Sequence, residues 1–181
     1  MGGSNTGKDT IVNKLKNEYG YEVCVSDTTR PMRENEVDKI SYNFITIKQF
    51  TQNLTDDKLI EHRIYKSATG LWYYSLSKDS VDTTKVQLVI LDANGYKETI
   101  NKLGEENVTG IYIYANEREK IMRALNREPN REDIKFYEEL YRRMLDDLHA
   151  FDLIDDVYEV GNDDLNRATK QIDMIIRIES N

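Results

Sequence analysis

"MGGSNTGKDT", residues 1–10, sets the reading of the whole chain. Gly2, Gly7 and Lys8 satisfy the G-x-x-x-x-G-K spacing of a phosphate-holding loop. Glycine tolerates positive φ, so successive backbone N–H groups can point inward around one anion. Lys8 adds a point charge, and a helix starting near Asp9 would aim its positive end at the same place. Ile11, Val12, Leu15 and Tyr19 supply the spacing of that helix, and Gly20 supplies its stop. The candidate donor-phosphate set is therefore Gly2, Asn5, Thr6, Gly7, Lys8, Asp9 and Thr10. Asp9 stands where the motif asks for Ser or Thr to meet Mg²⁺. A carboxylate is also a hard ligand, and Thr10 beside it carries a hydroxyl, so both are candidates for the metal.

Such a loop ordinarily follows a central buried strand, yet only Met1 precedes it. Five buried apolar residues would contribute on the order of 10 kcal/mol at ~1.5–3 each, comparable with a whole domain's ~5–15 kcal/mol. The expectation is that the first core strand is missing and that this sequence is shortened at its N-terminus.

The 181 residues fit one domain with small lobes. Thirty-three acidic against 25 basic residues give a net charge of −8, which argues against a nucleic-acid partner except at a local basic patch. Cys24 is the single cysteine, so no intrachain disulfide forms, as suits a reducing cytoplasm. No apolar run reaches membrane-spanning length, and no membrane partner is expected.

Outside the centre of the chain, strand and helix patterns alternate. Tyr21–Val25, "VQLVILDA", "VTGIYIYA" and "DDVYEV" read as strands; Gly95–Leu103, "NEREKIMRALNRE", Glu132–Phe151 and Asp163–Arg177 read as helices. The third of these carries an apolar stripe of Ile134, Tyr137, Leu140, Tyr141, Met144 and Leu148. "ISYNFITI", "KLIEHRIY" and "LWYYSL" are short β-type runs that suggest a small antiparallel lobe. The fold class expected is α/β, a P-loop NTPase-type parallel sheet flanked by helices.

"VSDTTRPMRENEVDKISYNF", residues 25–44, adds the decisive pattern. It resembles the nucleoside-monophosphate lobe of guanylate kinases, V-S-x-T-T-R-x-x-R-x-x-E-x-x-x-x-x-Y-x-F, with Ser26, Thr28, Thr29, Arg30, Arg33, Glu36, Tyr42 and Phe44 in register. "LIEH" with Glu61, "YYS" with Tyr74, "LDANG" with Asp92 and Gly95, and "NDDL" from Asn162 follow in the family's order. The resemblance spans essentially the whole chain. It implies one domain, 1–181, with a core of 1–29, 86–125 and 150–181, an NMP-binding lobe over 30–85, and a helical lid with its following helix over 126–149.

It further implies ATP-dependent phosphorylation of GMP or dGMP, with ATP and Mg²⁺ bound and small-molecule nucleotides, not nucleic acid or membrane, as partners. Ser26, Arg30, Arg33, Tyr42, Glu61, Tyr74 and Asp92 would hold the acceptor, and Asn162 would border the donor's adenine. Lys8 with Arg127, Arg131 and Arg142 would stabilise the migrating phosphoryl; spacing favours Arg131 with Arg142, and Arg143 stands beside the latter. The chemistry agrees: arginines three apart suit one dianionic phosphate, and a carboxylate accepts the donor pair of guanine N1 and its exocyclic amine. One departure stands out. Leu76 occupies the family's hydroxyl position, so Ser75 or Ser77 would have to substitute. Two other readings compete: a kinase for a different nucleoside monophosphate, and a non-catalytic module that binds proteins. Mass spectrometry of the natural protein is expected to show residues ahead of Met1; a product beginning at Met1 contradicts this.

Overall fold

Gly7 starts the first helix by taking a φ of 92°, a left-handed conformation that an L side chain resists. The computed structural model describes residues 1–34, 36–67, 70–127, 129–131, 133–150, 154 and 156–180. At Ser67 and at 148–150 it describes the backbone alone. Two compact units are present: Met1–Gly20 with Ile90–Tyr96 and Thr109–Asn181, and Tyr21–Val89 with Lys97–Val108.

In the first unit, α1 (Lys8–Lys14) widens into a π-helical turn (Leu15–Tyr19) that Gly20 ends in the left-handed region. Ile11 and Leu15, each 2% exposed, point inward. Strand β7 (Ile111–Tyr114) pairs in parallel with β8 (Tyr158–Gly161), Ile113 opposite Val160. Helix α6 (Leu165–Glu179) begins where the Asp164 side chain accepts the Arg167 N–H at 2.8 Å. Its Ala168, Thr169, Ile172, Ile175 and Ile176 are buried, an apolar stripe at helical spacing that packs against α1 and β8. The edge of β7 away from β8 is taken by the chain's first residues. Ile113 N–H donates to the Met1 carbonyl at 2.8 Å, and Gly2 bridges to Ile113 in parallel. A Cβ on Gly2 would lie 2.3 Å from the Ile113 carbonyl oxygen, so only glycine permits this approach.

Two further helices complete this unit. Asn116 caps α4 (Glu117–Arg127) by accepting the Arg118 N–H at 2.9 Å. Asp133 does the same for α5 (Ile134–Ala150) through Phe136. Of the apolar stripe read on α5 from the sequence, Leu140 and Met144 are half-buried, whereas Ile134, Tyr137 and Tyr141 are 71%, 43% and 65% exposed. The less exposed face runs through Phe136, Leu140, Arg143, Met144 and Asp147, and so overlaps the expected stripe at Leu140 and Met144. The Leu148 side chain lies outside the described residues, as do Glu132 and Phe151, the expected bounds of this helix.

In the second unit β1 (Glu22–Val23) pairs in parallel with β6 (Gln87–Leu88). The apolar run "VQLVILDA" thus yields only a two-residue strand, because pairing with β1 stops after Cys24 N–H donates to the Leu88 carbonyl at 2.8 Å. A second sheet has the order β3 (Asn43–Phe44), β2 (Asp27–Thr28), β5 (Gly70–Ser77), β4 (Leu59–Ser67). It is antiparallel except between β2 and β3. "ISYNFITI" is extended only at its centre. From Ile47 the chain forms α2 (Ile47–Thr55), because the Thr46 side chain accepts the Gln49 N–H while Gln49 reaches back to the Thr46 N–H, a complete capping box. Helix α3 (Ala93–Leu103) has its first turn in the first unit and its remainder in the second.

Strand alternation gives the second sheet two faces. Asn43, Asp27, Ser75, His62 and Tyr73 share one, where Phe50 of α2 stacks at 4.8 Å from Tyr73 and 6.2 Å from His62. His62 is thus a packing residue. The opposite face carries Phe44, Thr28, Tyr74, Leu76, Glu61 and Arg63. Leu76, 1% exposed, clusters with Cys24 and Ile60. Leu76→Ala is expected to cost this unit about 2–5 kcal/mol. Ile64→Ala, at a site 55% exposed, is expected to stay within about 0.5 kcal/mol. Urea unfolding of the two variants checks both values.

Candidate active site

The loop at residues 2–8 turns its N–H groups inward only if its carbonyls, forced outward, find donors elsewhere. Arg123 and Asn162 are those donors. Arg123 Nη1 donates to the carbonyls of Thr6 at 3.1 Å and Asn5 at 3.4 Å. Its Nη2 reaches the Asn162 carbonyl at 2.6 Å. Asn162, 3% exposed, donates Nδ2 to Thr6 O at 2.7 Å. Asn5 takes a φ of 60°, which asparagine tolerates better than most residues. A Cβ on Gly7 would sit 2.4 Å from Asn162 Nδ2, so this glycine serves both the turn and the close approach of the amide. Thr6, 2% exposed, donates Oγ1 to the Gly3 carbonyl at 2.9 Å.

Lys8 Nζ donates to the same Gly3 carbonyl at 2.7 Å. Burial holds its ammonium below the ordinary lysine value. Asp9 and Asp147 oppose that shift, while Arg127 and Lys120 add to it. Asp9 and Thr10 are both exposed at the start of α1. Among the described residues no cluster of three or more His, Cys, Asp or Glu could hold a metal alone.

In the second unit Glu61 and Tyr74 share one sheet face, and Arg30 and Tyr42 meet Tyr74 there. Arg30, 4% exposed, donates Nε to Tyr74 Oη at 3.1 Å and Nη1 to the Pro31 carbonyl at 2.9 Å. Its two terminal nitrogens grip Glu36 with a 2.7 Å bond to each carboxylate oxygen. Four of the five N–H donors of this guanidinium are thereby committed. Tyr42 and Phe44 lie 5.3 and 5.8 Å beneath the cation, and Tyr42 and Tyr65 meet the Tyr74 ring edge-on. Arg33 is exposed, and its N–H donates to Glu36 at 2.8 Å. Ser26 lies one residue before β2, its carbonyl accepting the Asn43 N–H at 2.9 Å.

Glu61, 5% exposed, is buried opposite Leu76. Ser75 is on the other face, its hydroxyl 3.5 Å from Asp27, and Ser77 caps the short helical turn Lys78–Ser80. Neither hydroxyl stands on the Glu61 face in place of Leu76.

The remaining expected residues are more dispersed. Asp92 belongs to the first unit, where its carboxylate accepts the Gly95 N–H at 2.7 Å and caps α3. Arg127 is the exposed last residue of α4. Arg131 lies 5.3 Å above Phe136 and pairs with Asp133 at 3.2 Å. Arg142 points outward and pairs with Asp146 at 2.9 Å, whereas Arg143 is on the inward stripe of α5 and bonds Glu139. Sequence reasoning missed Arg123, Asp147 and the grip of Glu36 on Arg30. Arg123 precedes Arg127 by one helical turn, and that spacing was the available signal.

Arg30 holds the Glu36 carboxyl below its ordinary value of 4.5, aided by the Arg33 N–H. A carboxylate whose folded value is depressed contributes stability above its unfolded value and loses it as acid protonates it. Wild-type protein is therefore expected to lose urea resistance steeply as pH falls below about 4.5. Glu36→Gln flattens that part of the profile and starts from lower stability at pH 7.

The chain matches the family model described as guanylate kinase over residues 1–179. It is 26% identical over a 192-residue alignment to a guanylate kinase of Sulfurimonas denitrificans, covering 99% of this chain and 88% of the relative. A guanylate kinase of Neisseria meningitidis serogroup A is 29% identical over 180 residues, covering 96% of this chain and 82% of the relative. In fold, the crystal structure of guanylate kinase from Anaplasma phagocytophilum superimposes with a TM-score of 0.66 at 22% identity, covering 98% of this chain and 82% of that one. The mixed α/β architecture with parallel strand pairs and flanking helices agrees with that neighbour, and the chain belongs to the guanylate kinase family.

Proposed function

We propose that the protein transfers the γ-phosphoryl group of ATP to GMP or dGMP, forming ADP with GDP or dGDP. The observation that carries this reading is the family match across residues 1–179. The two residue sets support it. Transfer of this kind needs positioning and charge neutralisation rather than a covalent protein intermediate. Residues 2–8 would cradle the donor phosphates, with Lys8 released from the Gly3 carbonyl to the β- and γ-phosphates. Arg127, Arg131 and Arg142 would add positive charge around the migrating group. Arg30, Arg33, Tyr42 and Tyr74 would hold the acceptor phosphate, Ser26 and Asp92 would orient its nucleoside, and Glu61 would read the guanine edge.

Among the described residues Asn162 Oδ1 is a buried acceptor with no hydrogen-bond partner. The adenine amine is a donor that satisfies such an atom, while the O6 of guanine is an acceptor that does not. Guanine carries donors too, at N1 and its exocyclic amine, so ATP is the proposed donor on the family match alone. Asp9 and Thr10 would hold Mg²⁺ together with the phosphates; when bound, the ion would neutralise charge developing between the β- and γ-oxygens. Among the described residues no helix is long and apolar enough to cross a membrane, and Cys24 is buried and free. A role in cytoplasmic purine nucleotide metabolism fits both. Neither a different acceptor base nor a non-catalytic module is favoured, since Lys8, Arg30 and Glu61 are all in place.

A coupled ADP-release assay across GMP, dGMP, AMP, CMP and UMP tests the reading. Turnover is expected with guanine nucleotides; its absence with every base contradicts it. Lys8→Met should lower kcat about 10²–10³-fold. Arg123→Met should raise the KM for ATP by about tenfold, by removing charged hydrogen bonds to the loop, with the KM for GMP unchanged.

A further inference from the structure

We propose that Asp147 is an internal competitor for the donor phosphate, a carboxylate of this chain that occupies the cradle until nucleotide displaces it. The inference rests on the reading of residues 2–8 as the donor site and adds a residue that acts against binding. Asp147 Oδ2 accepts the Ser4 N–H at 2.6 Å, the short distance of a charge-assisted bond. The same oxygen comes so close to Gly3 that a Cβ there would meet it at 2.9 Å. It also lies near enough to Lys8 to favour the charged ammonium. One inward N–H of the loop and the field of its lysine are thus already answered by an anion.

The placement is not a chance meeting of surface groups. Asp147 is the last member of the stripe Phe136, Leu140, Arg143, Asp147 on α5, so burial of Phe136 at the other end fixes the rotation of the helix. A negative group there, together with Asp9, offsets the charge of Lys8 when nucleotide is absent. Lys8 is desolvated, with Arg127 and Lys120 adding like charge, and an uncompensated cluster of this kind is costly. Donor phosphate brings more negative charge to the same N–H and the same lysine. The two anions cannot share the cradle, so phosphate binding breaks the Ser4–Asp147 bond and frees the C-terminal part of α5 from the loop. Apparent ATP affinity is then the intrinsic affinity reduced by the fraction of molecules with an open cradle.

Calorimetric titration of the full chain with ATP, and separately with inorganic tripolyphosphate, tests this in wild type, Asp147→Asn and Asp147→Ala. Glu138→Gln, an exposed carboxylate on the same helix, controls for net charge. Both Asp147 variants are expected to bind both ligands about tenfold more tightly, which corresponds to a cradle self-occupied roughly nine-tenths of the time. Glu138→Gln and the KM for GMP should move less than about twofold, since an exposed charge is well screened. Unchanged affinity in both Asp147 variants, with GMP phosphorylation intact, overturns the inference and leaves the kinase reading standing. Weaker binding also overturns it, because Asp147 would then belong to the nucleotide-bound state. If no form binds ATP or tripolyphosphate and none phosphorylates GMP, the donor-site reading falls first and the competitor role with it.

Discussion

A peptide loop that converges its N–H groups on one point must send its carbonyls the other way, and these cannot be left dry. The hydrogen bonds from Arg123 and Asn162 to the carbonyls of Asn5 and Thr6 meet that constraint. Much of the first unit is arranged to deliver them. Asn162 arrives at the end of β8, held by its own N–H to the Tyr114 carbonyl at 2.8 Å. Arg123 arrives on α4, which follows directly from the other strand of the same parallel pair. Glycine at position 7 then serves twice, since a side chain would strain the turn and collide with the amide that braces it.

The second unit solves a related problem with the alternation of a sheet. Odd and even positions of β2, β4 and β5 separate a face covered by α2 from a face bearing Arg30, Tyr74 and Glu61. One strand therefore turns Ser75 to the packed face and Tyr74 to the face of Arg30 and Glu61. This is why a hydroxyl one residue away from Leu76 is no substitute for a hydroxyl at Leu76: a shift of one residue is a change of face. The base contact proposed for this sheet thus depends on Glu61 without help from Ser75 or Ser77.

The sequence was legible where local chemistry and fold agree. Gly2, Gly7 and Lys8 mark a loop by spacing, Gly20 marks a helix stop, and the Val-Ile-Tyr runs around Ile113 and Val160 mark parallel strands. It misled where function overrides the hydrophobic pattern. On α5 the apolar residues Ile134, Tyr137 and Tyr141 suggest one inward face, while the inward face contains Arg143 and Asp147. That face mixes charge with apolar groups, so apolar periodicity found Leu140 and Met144 on it but not Arg143 or Asp147. Helix α2 was missed for a different reason: β-branched residues around Thr46 look like a strand, and only the Thr46–Gln49 spacing reveals the capping box. The partnership of Arg30 with Glu36 was beyond sequence reasoning, because both residues match the same motif and nothing in their spacing says that one holds the other.

The placements of Glu36 and Asp147 share a physical cause. A protein that stores desolvated cations for phosphate must keep them tolerable when the phosphate is absent. At each proposed site it does so with its own carboxylate: Glu36 spans the guanidinium of Arg30, and Asp147 caps the loop beside Lys8. Nucleotide affinity at the donor site is accordingly an exchange of one anion for another, smaller than the strength of the contacts in the bound state suggests. The two carboxylates differ in how they are held. Glu36 also accepts the Arg33 N–H and is fixed by its own loop, so it shapes Arg30 and can stay while phosphate takes the remaining donors. Asp147 accepts the Ser4 N–H of the loop itself, from a separate helix, so the arriving phosphate must replace it outright.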